Sequence, residues 1–194
     1  GWQTALLPEP ALHDAIRPLR GQGSLFDSDT VPDAVHCGAR TLIPDGDRLY
    51  SGASFNPNDS DLVPRAADDD ANRQAIYARH PDANPRLHSH YIGIRGASRD
   101  YMPLLGAIPD AADVAEKYGA LRHDAGLSIA RDIAHHPRHY MHQGLGSKGC
   151  TQAWLNADIL AAIINDTPIP LPQPQLERLT PARYLLRALK RGQL

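Results

Sequence analysis

The stretch that most limits how this chain can fold is DTPIPLPQPQ at 166–175, with proline at positions 168, 170, 172 and 174. Proline has no N–H to give to a ladder, so the segment cannot be a central strand, and it cannot hold a helix either. It follows the best helical pattern in the chain, TQAWLNADILAAIIN at 151–165, where Trp154, Leu155, Ile159, Ala162 and Ile163 fall near one face. Ahead of that helix stands HQGLGSKG, with Gly144, Gly146 and Gly149 in G-x-G-x-x-G spacing. A dinucleotide-binding unit needs a strand, the glycine turn, a helix, a second strand and an acidic residue about 20 positions on. Asp166 has about the right spacing, but the prolines deny the second strand, so the pyrophosphate reading fails. Lys148 is out of place for a Walker loop. What remains is a glycine turn entering a helix N-terminus, whose free N–H groups suit an anion or an electron-rich carbonyl. An ordinary loop-to-helix turn has the same spacing, and spacing alone does not separate the two.

The rest of the chain reads as strands followed by helices, an α+β arrangement. Residues 1–20 are proline-rich and irregular, and LRGQGSLF at 19–26 begins a strand. Two β-like runs flank PDGD at 44–47, where proline, aspartate and glycine give an antiparallel hairpin turn. NPNDSDLVP at 56–64 reads as a loop. RAADDDANRQAIYARHP at 65–81 reads as a helix, its early acids complementing the dipole and Pro81 ending it. RLHSHYIGIRGAS at 86–98 alternates as a strand, YMPLLGAIPD at 101–110 as an apolar loop, and 111–126 as a helix. The segment 128–143 is obscure apart from its end, a strand feeding the glycine turn. LTPARYLLRALKRG at 179–192 is a last short helix with Pro181 in its first turn and cations at its end.

The 194 residues suffice for one good-sized domain or two small lobes. A net charge of −2 advertises no global basic field, so any polyanion contact must be a local patch. Cys37 and Cys150 stand far apart, which argues against a disulfide scaffold and fits a reducing, cytoplasmic compartment. The start GWQTALLPEP has neither an initiator methionine nor a signal-peptide pattern, and it reads as the interior of a longer protein.

Four segments, in matching order and spacing, resemble the D-amino-acid oxidase and glycine oxidase group. They are RGQGS at 20–24, YSGASF at 50–55, GIRGASRDYMPLLGAIPD at 93–110 and GLGSKG at 144–149. GASRDYMP, DDDANRQ and LTPARYLLRALKRG narrow the resemblance to the C-terminal oxidoreductase half of the bifunctional tRNA wobble-uridine modification enzymes. It covers about residues 18–192. The resemblance implies FAD held across two lobes. It implies oxidation of a C–N bond of 5-carboxymethylaminomethyl-(2-thio)uridine in the tRNA anticodon, leaving 5-aminomethyl-(2-thio)uridine. A separate N-terminal methyltransferase half would then methylate that amine with S-adenosylmethionine. The strand and glycine fingerprint that hold the FAD adenosine diphosphate are not among these residues.

On the same resemblance, 1–20 is a residual segment of the FAD lobe and 21–100 an antiparallel-sheet substrate lobe. Residues 101–170 return to the FAD lobe with the flavin-edge turn, and 171–194 form a proline-rich linker and a basic helix. Two other functions fit these residues: a glycine, sarcosine or D-amino-acid type amine oxidase, and a flavin-free fragment that binds tRNA or protein.

The resemblance places Arg95 on the substrate carboxylate, where a planar guanidinium forks onto both oxygens; the alternative is an Arg paired with Asp100. Arg99 and Asp100 are expected to brace the Arg95 loop or else to pair locally, Gly93 and Gly96 to permit its backbone shape, and Pro103 and Gly106 to shape the return. Gly144, Leu145, Gly146, Ser147, Lys148 and Gly149 are expected along the flavin edge, stabilising charge on the reduced ring. No side chain is required as general acid or base. Arg183, Arg187, Lys190 and Arg191 form a basic patch for tRNA phosphates, or else serve the dipole and solubility. His135, His136, His139 and His142 invite a metal reading, but Pro137 interrupts the helix it needs, and no metal is expected. Trp154 is expected in the core.

Overall fold

The computed structural model describes residues 7–128 and 132–194. The residues 129–131 of the obscure segment lie outside it. Two compact units emerge, one made of Pro18–Arg95 and the other of Gly1–Arg17 with Gly96–Leu194.

The unit Pro18–Arg95 is built on an antiparallel sheet. Its strands are β1 (Ile16–Asp27), β2 (Thr41–Asp45), β3 (Arg48–Gly52), the two-residue β4 (Asn56–Pro57) and β5 (Arg86–Ser98). The strand order is β2-β3-β1-β4, and β5 also pairs with β1. The PDGD turn closes the β2–β3 hairpin with Asp45 opposite Arg48, and Gly46 takes a φ of +64° there. Helix α1 (Ala66–Tyr77) covers one face, over a core of Phe26, Leu42, Leu49, Ile76 and Ala83. The helix ends at Tyr77, four residues before Pro81.

The period-two alternation of strands gives this sheet two chemically different faces. Arg20, Gln22 and Ser24 point to the α1 side, where they are fully buried. Arg20 donates to Asp68, the Gln22 side chain, and the carbonyls of Asp61 and Val63. Asp69 accepts from the Gln22 amide and the Ser24 hydroxyl, and Asn72 donates to Ser24. Asp68 and Asp69 of DDDANRQ therefore lock the helix to the sheet, beyond the dipole role expected from sequence. Gly21, Gly23, Tyr50, Gly52, Tyr91, Gly93 and Arg95 alternate with these inward residues and take the opposite face.

The second unit contains β6 (Leu104–Pro109) and β7 (His135–Gln143), an antiparallel pair. Its helices are α2 (Ala111–Tyr118), α3 (Gly149–Asn165), the single turn α4 (Gln173–Leu176) and α5 (Ala182–Lys190). A 3₁₀ helix at Pro10–Ala15 replaces part of the irregular start. Leu12, Leu104, Ile108, Val114, Met141, Leu185 and Leu189 form its main core.

Three expectations change here. The apolar loop at 101–110 is mostly strand β6, because Leu104–Ala107 pair with Gln143–Tyr140, and Leu104 and Leu105 are buried in clusters with side chains of α5 and α3, a partnership from distant sequence. The proline-rich stretch ends in one helical turn, α4, which Pro172 precedes and Pro174 tolerates at its start. Trp154 is 80% exposed and not core. The buried stripe of α3 is Asn156, Ile159 and Ala162, so Trp154 and Leu155 fall outside it. No helix among the described residues is long and apolar enough to cross a membrane.

Candidate active site

Arg95 stands on the open face of β5, exposed, and among the described residues it has no hydrogen-bond or ion-pair partner. It lines a pocket of about 260 Å³ with Gly21, Gly23, Tyr50, Ala53 and Tyr91. Glycines make this pocket. A Cβ on Gly23 would lie 2.1 Å from the Tyr50 hydroxyl and one on Gly52 2.7 Å from it, so the phenol ring lies directly over both. A Cβ on Gly21 would lie 3.3 Å from Arg95 Nη1. The arrangement offers a planar cation, a phenol and a bare backbone floor, a donor set for a carboxylate carried on an apolar stem. Tyr50 was not singled out in sequence; the spacing R-G-Q-G-S, with glycines at every second position opposite polar residues, was its available signal.

Gly93 lies within β5 without a positive φ, so backbone shape does not require glycine there, contrary to expectation. Asp100 does not pair with Arg95 and does not brace its loop. Arg183 takes its carboxylate with Nε and Nη2, each at 3.0 Å, and Arg187 adds a bond of 2.6 Å. Tyr184 also donates to Asp100, at 3.1 Å. Burial pushes the Asp100 carboxyl up, but the bonds from Arg183 and Arg187 outweigh it and hold the group well below the usual carboxylate range. Arg99 donates to the Asp14 carbonyl instead of to Asp100. A cleft of about 860 Å³ opens beside these groups, in which Arg187 bonds the Asp100 carboxylate and Arg99 the Asp14 backbone carbonyl.

The basic C-terminal residues separate into two kinds. Arg183 is 7% exposed, and its remaining donors go to the carbonyls of Leu179, Thr180 and Met102. That geometry removes it from the set open to phosphates. Arg187, Lys190 and Arg191 are exposed.

The glycine turn packs on its own unit. Gly144 has φ +74°, and a Cβ there would meet Ile16 Cδ1 at 2.9 Å. Gly146 has φ +56° and open space on its Cβ side, with Ala97 4.0 Å away. A 3₁₀ turn, Gly146–Lys148, leads into α3, whose N-terminus has no side-chain cap. Uncapped N–H groups beside an open glycine fit the electron-rich edge of a flavin ring. Among the described residues nothing has the strand–glycine–helix–strand form needed for the cofactor's diphosphate.

The four histidines lie on strand β7, not on a helix. His136 approaches Glu9 at 3.5 Å, and His139 bonds the Pro137 carbonyl. Among the described residues no three His, Cys, Asp or Glu side chains gather as a metal site would require. Both cysteines are free and exposed.

The family model for FAD dependent oxidoreductases (DAO) matches residues 1–163, and the chain belongs to that family. Its cofactor is FAD. The chain is 39% identical over its whole length to the tRNA 5-methylaminomethyl-2-thiouridine biosynthesis bifunctional protein MnmC of Dichelobacter nodosus, covering 32% of that protein. The Pseudomonas aeruginosa MnmC is 35% identical over 95% of the chain and 30% of its own length. The chain thus spans about a third of these curated relatives. Iminodiacetate oxidase from Chelativorans sp. BNC1 shares the fold at a TM-score of 0.63 and 21% identity, over 93% of this chain and 43% of that one. Glycine oxidase from Geobacillus kaustophilus does so at 0.62 and 16%, over 86% and 39%.

Proposed function

We propose that this chain is the substrate-binding and flavin-edge part of an FAD-dependent oxidoreductase acting on tRNA. Its substrate is 5-carboxymethylaminomethyl-(2-thio)uridine at the wobble position, and its product is 5-aminomethyl-(2-thio)uridine. The observation that carries this reading is Arg95, a guanidinium unpartnered among the described residues and facing a glycine-floored pocket. The names of the relatives support the tRNA substrate.

The substrate nitrogen carries a two-carbon acid. Gly144–Gly149 would hold the edge of bound FAD, which would supply two-electron oxidation of the acid's C–N bond. The resulting imine is cleaved by water, leaving the primary amine on the base and releasing the acid fragment as its aldehyde, glyoxylate. This chain's residues bind and orient. Arg95 holds the carboxylate with two parallel N–H bonds, fixing the methylene in place. Tyr50 packs against the stem over Gly23 and Gly52. The N–H groups at Gly146–Gly149, with Lys148, favour negative charge at the flavin edge. Arg187, Lys190 and Arg191 meet tRNA phosphates without reading sequence. A methyltransferase half on the same polypeptide would use S-adenosylmethionine to methylate the exposed amine.

The test is nucleoside analysis of tRNA before and after incubation with the full-length, FAD-loaded protein. Conversion of the carboxymethylaminomethyl nucleoside to the aminomethyl one, with glyoxylate released, is expected. Oxidation of glycine or sarcosine with no change in tRNA would replace this reading with a free amino acid oxidase.

A further inference from the structure

Among the described residues nothing requires glycine at position 93. It lies inside β5, is exposed, has no positive φ, and a Cβ there would meet nothing within 4 Å. Glycine weakens a strand interior, so its presence needs another reason, and close approach of a ligand is one. Two positions before it, Tyr91 is 58% exposed, a large aromatic set on the same face of the strand. Two positions after it comes Arg95. All three line the one pocket, with Tyr50 as the neighbouring aromatic.

We propose that Tyr91 and Gly93 form a shelf on which the planar pyrimidine of the substrate lies while Arg95 holds its carboxylate. The inference rests on the reading of Arg95 given above and adds the residues that select a ring. Strand geometry sets the spacing: Gly93 lies about 7 Å and Tyr91 about 13 Å along the strand from Arg95. Four single bonds separate the pyrimidine C5 from the carboxyl carbon, a reach of about 5–6 Å when extended. Arg95 Nη1 reaches toward β1, 3.3 Å from where a Gly21 Cβ would stand, so a carboxylate held there leaves its ring within reach of the Gly93 floor and the Tyr91 face of the same pocket. A side chain at position 93 would occupy that place, and the Tyr91 ring gives the base a π-face to stack on.

The experiment uses the full-length, FAD-loaded protein and two probes: the nucleoside 5-carboxymethylaminomethyluridine and iminodiacetate, which has the same carboxymethylamine but no ring. Dissociation constants come from saturation-transfer NMR for the parent protein, Tyr91→Ala, Tyr91→Phe, Gly93→Val and Arg95→Ala. Gly93→Val enters open space on a strand, which valine favours, so the fold is retained. Tyr91→Ala and Gly93→Val are expected to weaken the nucleoside by about tenfold and leave iminodiacetate unchanged, with Tyr91→Phe close to the parent. Arg95→Ala should weaken both probes. If Arg95→Ala weakens both but Tyr91→Ala and Gly93→Val leave the nucleoside unchanged, the shelf is wrong and the carboxylate reading stands. If Arg95→Ala changes neither, the carboxylate reading fails and the shelf falls with it.

Discussion

Arg183 grips Asp100 from both sides of the carboxylate, Nε and Nη2 each 3.0 Å from one oxygen, across 83 residues of sequence. The pair ties α5 to the segment leading into β6, and it is mostly buried, with 7% and 21% of the two side chains exposed. Breaking such a pair leaves one charge without compensation. Asp100→Asn is expected to destabilise this unit by about 3 kcal/mol, read from hydrogen exchange of the α5 and β6 amides.

The same pair sets an acid limit. The folded-state pKa of Asp100 lies below its ordinary value of 3.8. The contribution is therefore complete above that ordinary value and is lost as pH falls through the depressed folded one. The parent should lose α5 protection steeply as pH drops below 3.8, and Asp100→Asn should lose that part of the dependence. An identical acid profile in the two proteins would refute this account of the pair.

Arg20 anchors the other unit. With no exposed surface and four acceptors, Arg20→Ala strands Asp68 and removes one donor from the Gln22 carbonyl oxygen, and a loss of about 3–5 kcal/mol is expected. Native-state exchange of the β1 and α1 amides in the parent polypeptide reads it. A change below about 1 kcal/mol would mean that the network contributes no more than a surface ion pair.

Tyr50 and Gly23 are coupled by contact. Gly23→Ala puts a methyl 2.1 Å from the phenol oxygen, so the ring must leave its seat. Overpacking of this kind costs about 1–3 kcal/mol. Tyr50→Ala in the same chain should remove most of that cost, a coupling that a double-mutant cycle measures. Additive effects would contradict the close packing.

Exposure divides the C-terminal cations. Lys190→Ala with Arg191→Ala should lower the slope of log K against log salt for tRNA by about 1–2 without unfolding the protein. Arg183→Ala should act through stability instead. Equal loss of stability in both variants would erase the distinction.

Much of this fold was legible in local pattern. Strand β5 has the bounds that alternation predicts, 86–98, and the PDGD hairpin, α1, α3 and α5 fall where periodicity and turn chemistry place them. What was missed depends on partners far away in sequence. Leu104–Pro109 became a strand because of β7, and Trp154 left the core because only one side of α3 meets β6 and Leu179. Asp100 found Arg183 through tertiary packing. The site divides in the same way: Arg95 came from a resemblance in sequence, whereas Tyr50 and the open floor at Gly93 required the sheet face that gathers three strands.

The central claim is that Arg95 binds a carboxylate. The direct measurement is a binding cycle in the full-length protein, pairing wild type and Arg95→Gln with 5-carboxymethylaminomethyluridine and its carboxamide analogue. Wild type should prefer the carboxylate by about tenfold or more, and Arg95→Gln should lose that preference while binding the amide as the parent does. A preference that survives the substitution undiminished would show that another group takes the carboxylate.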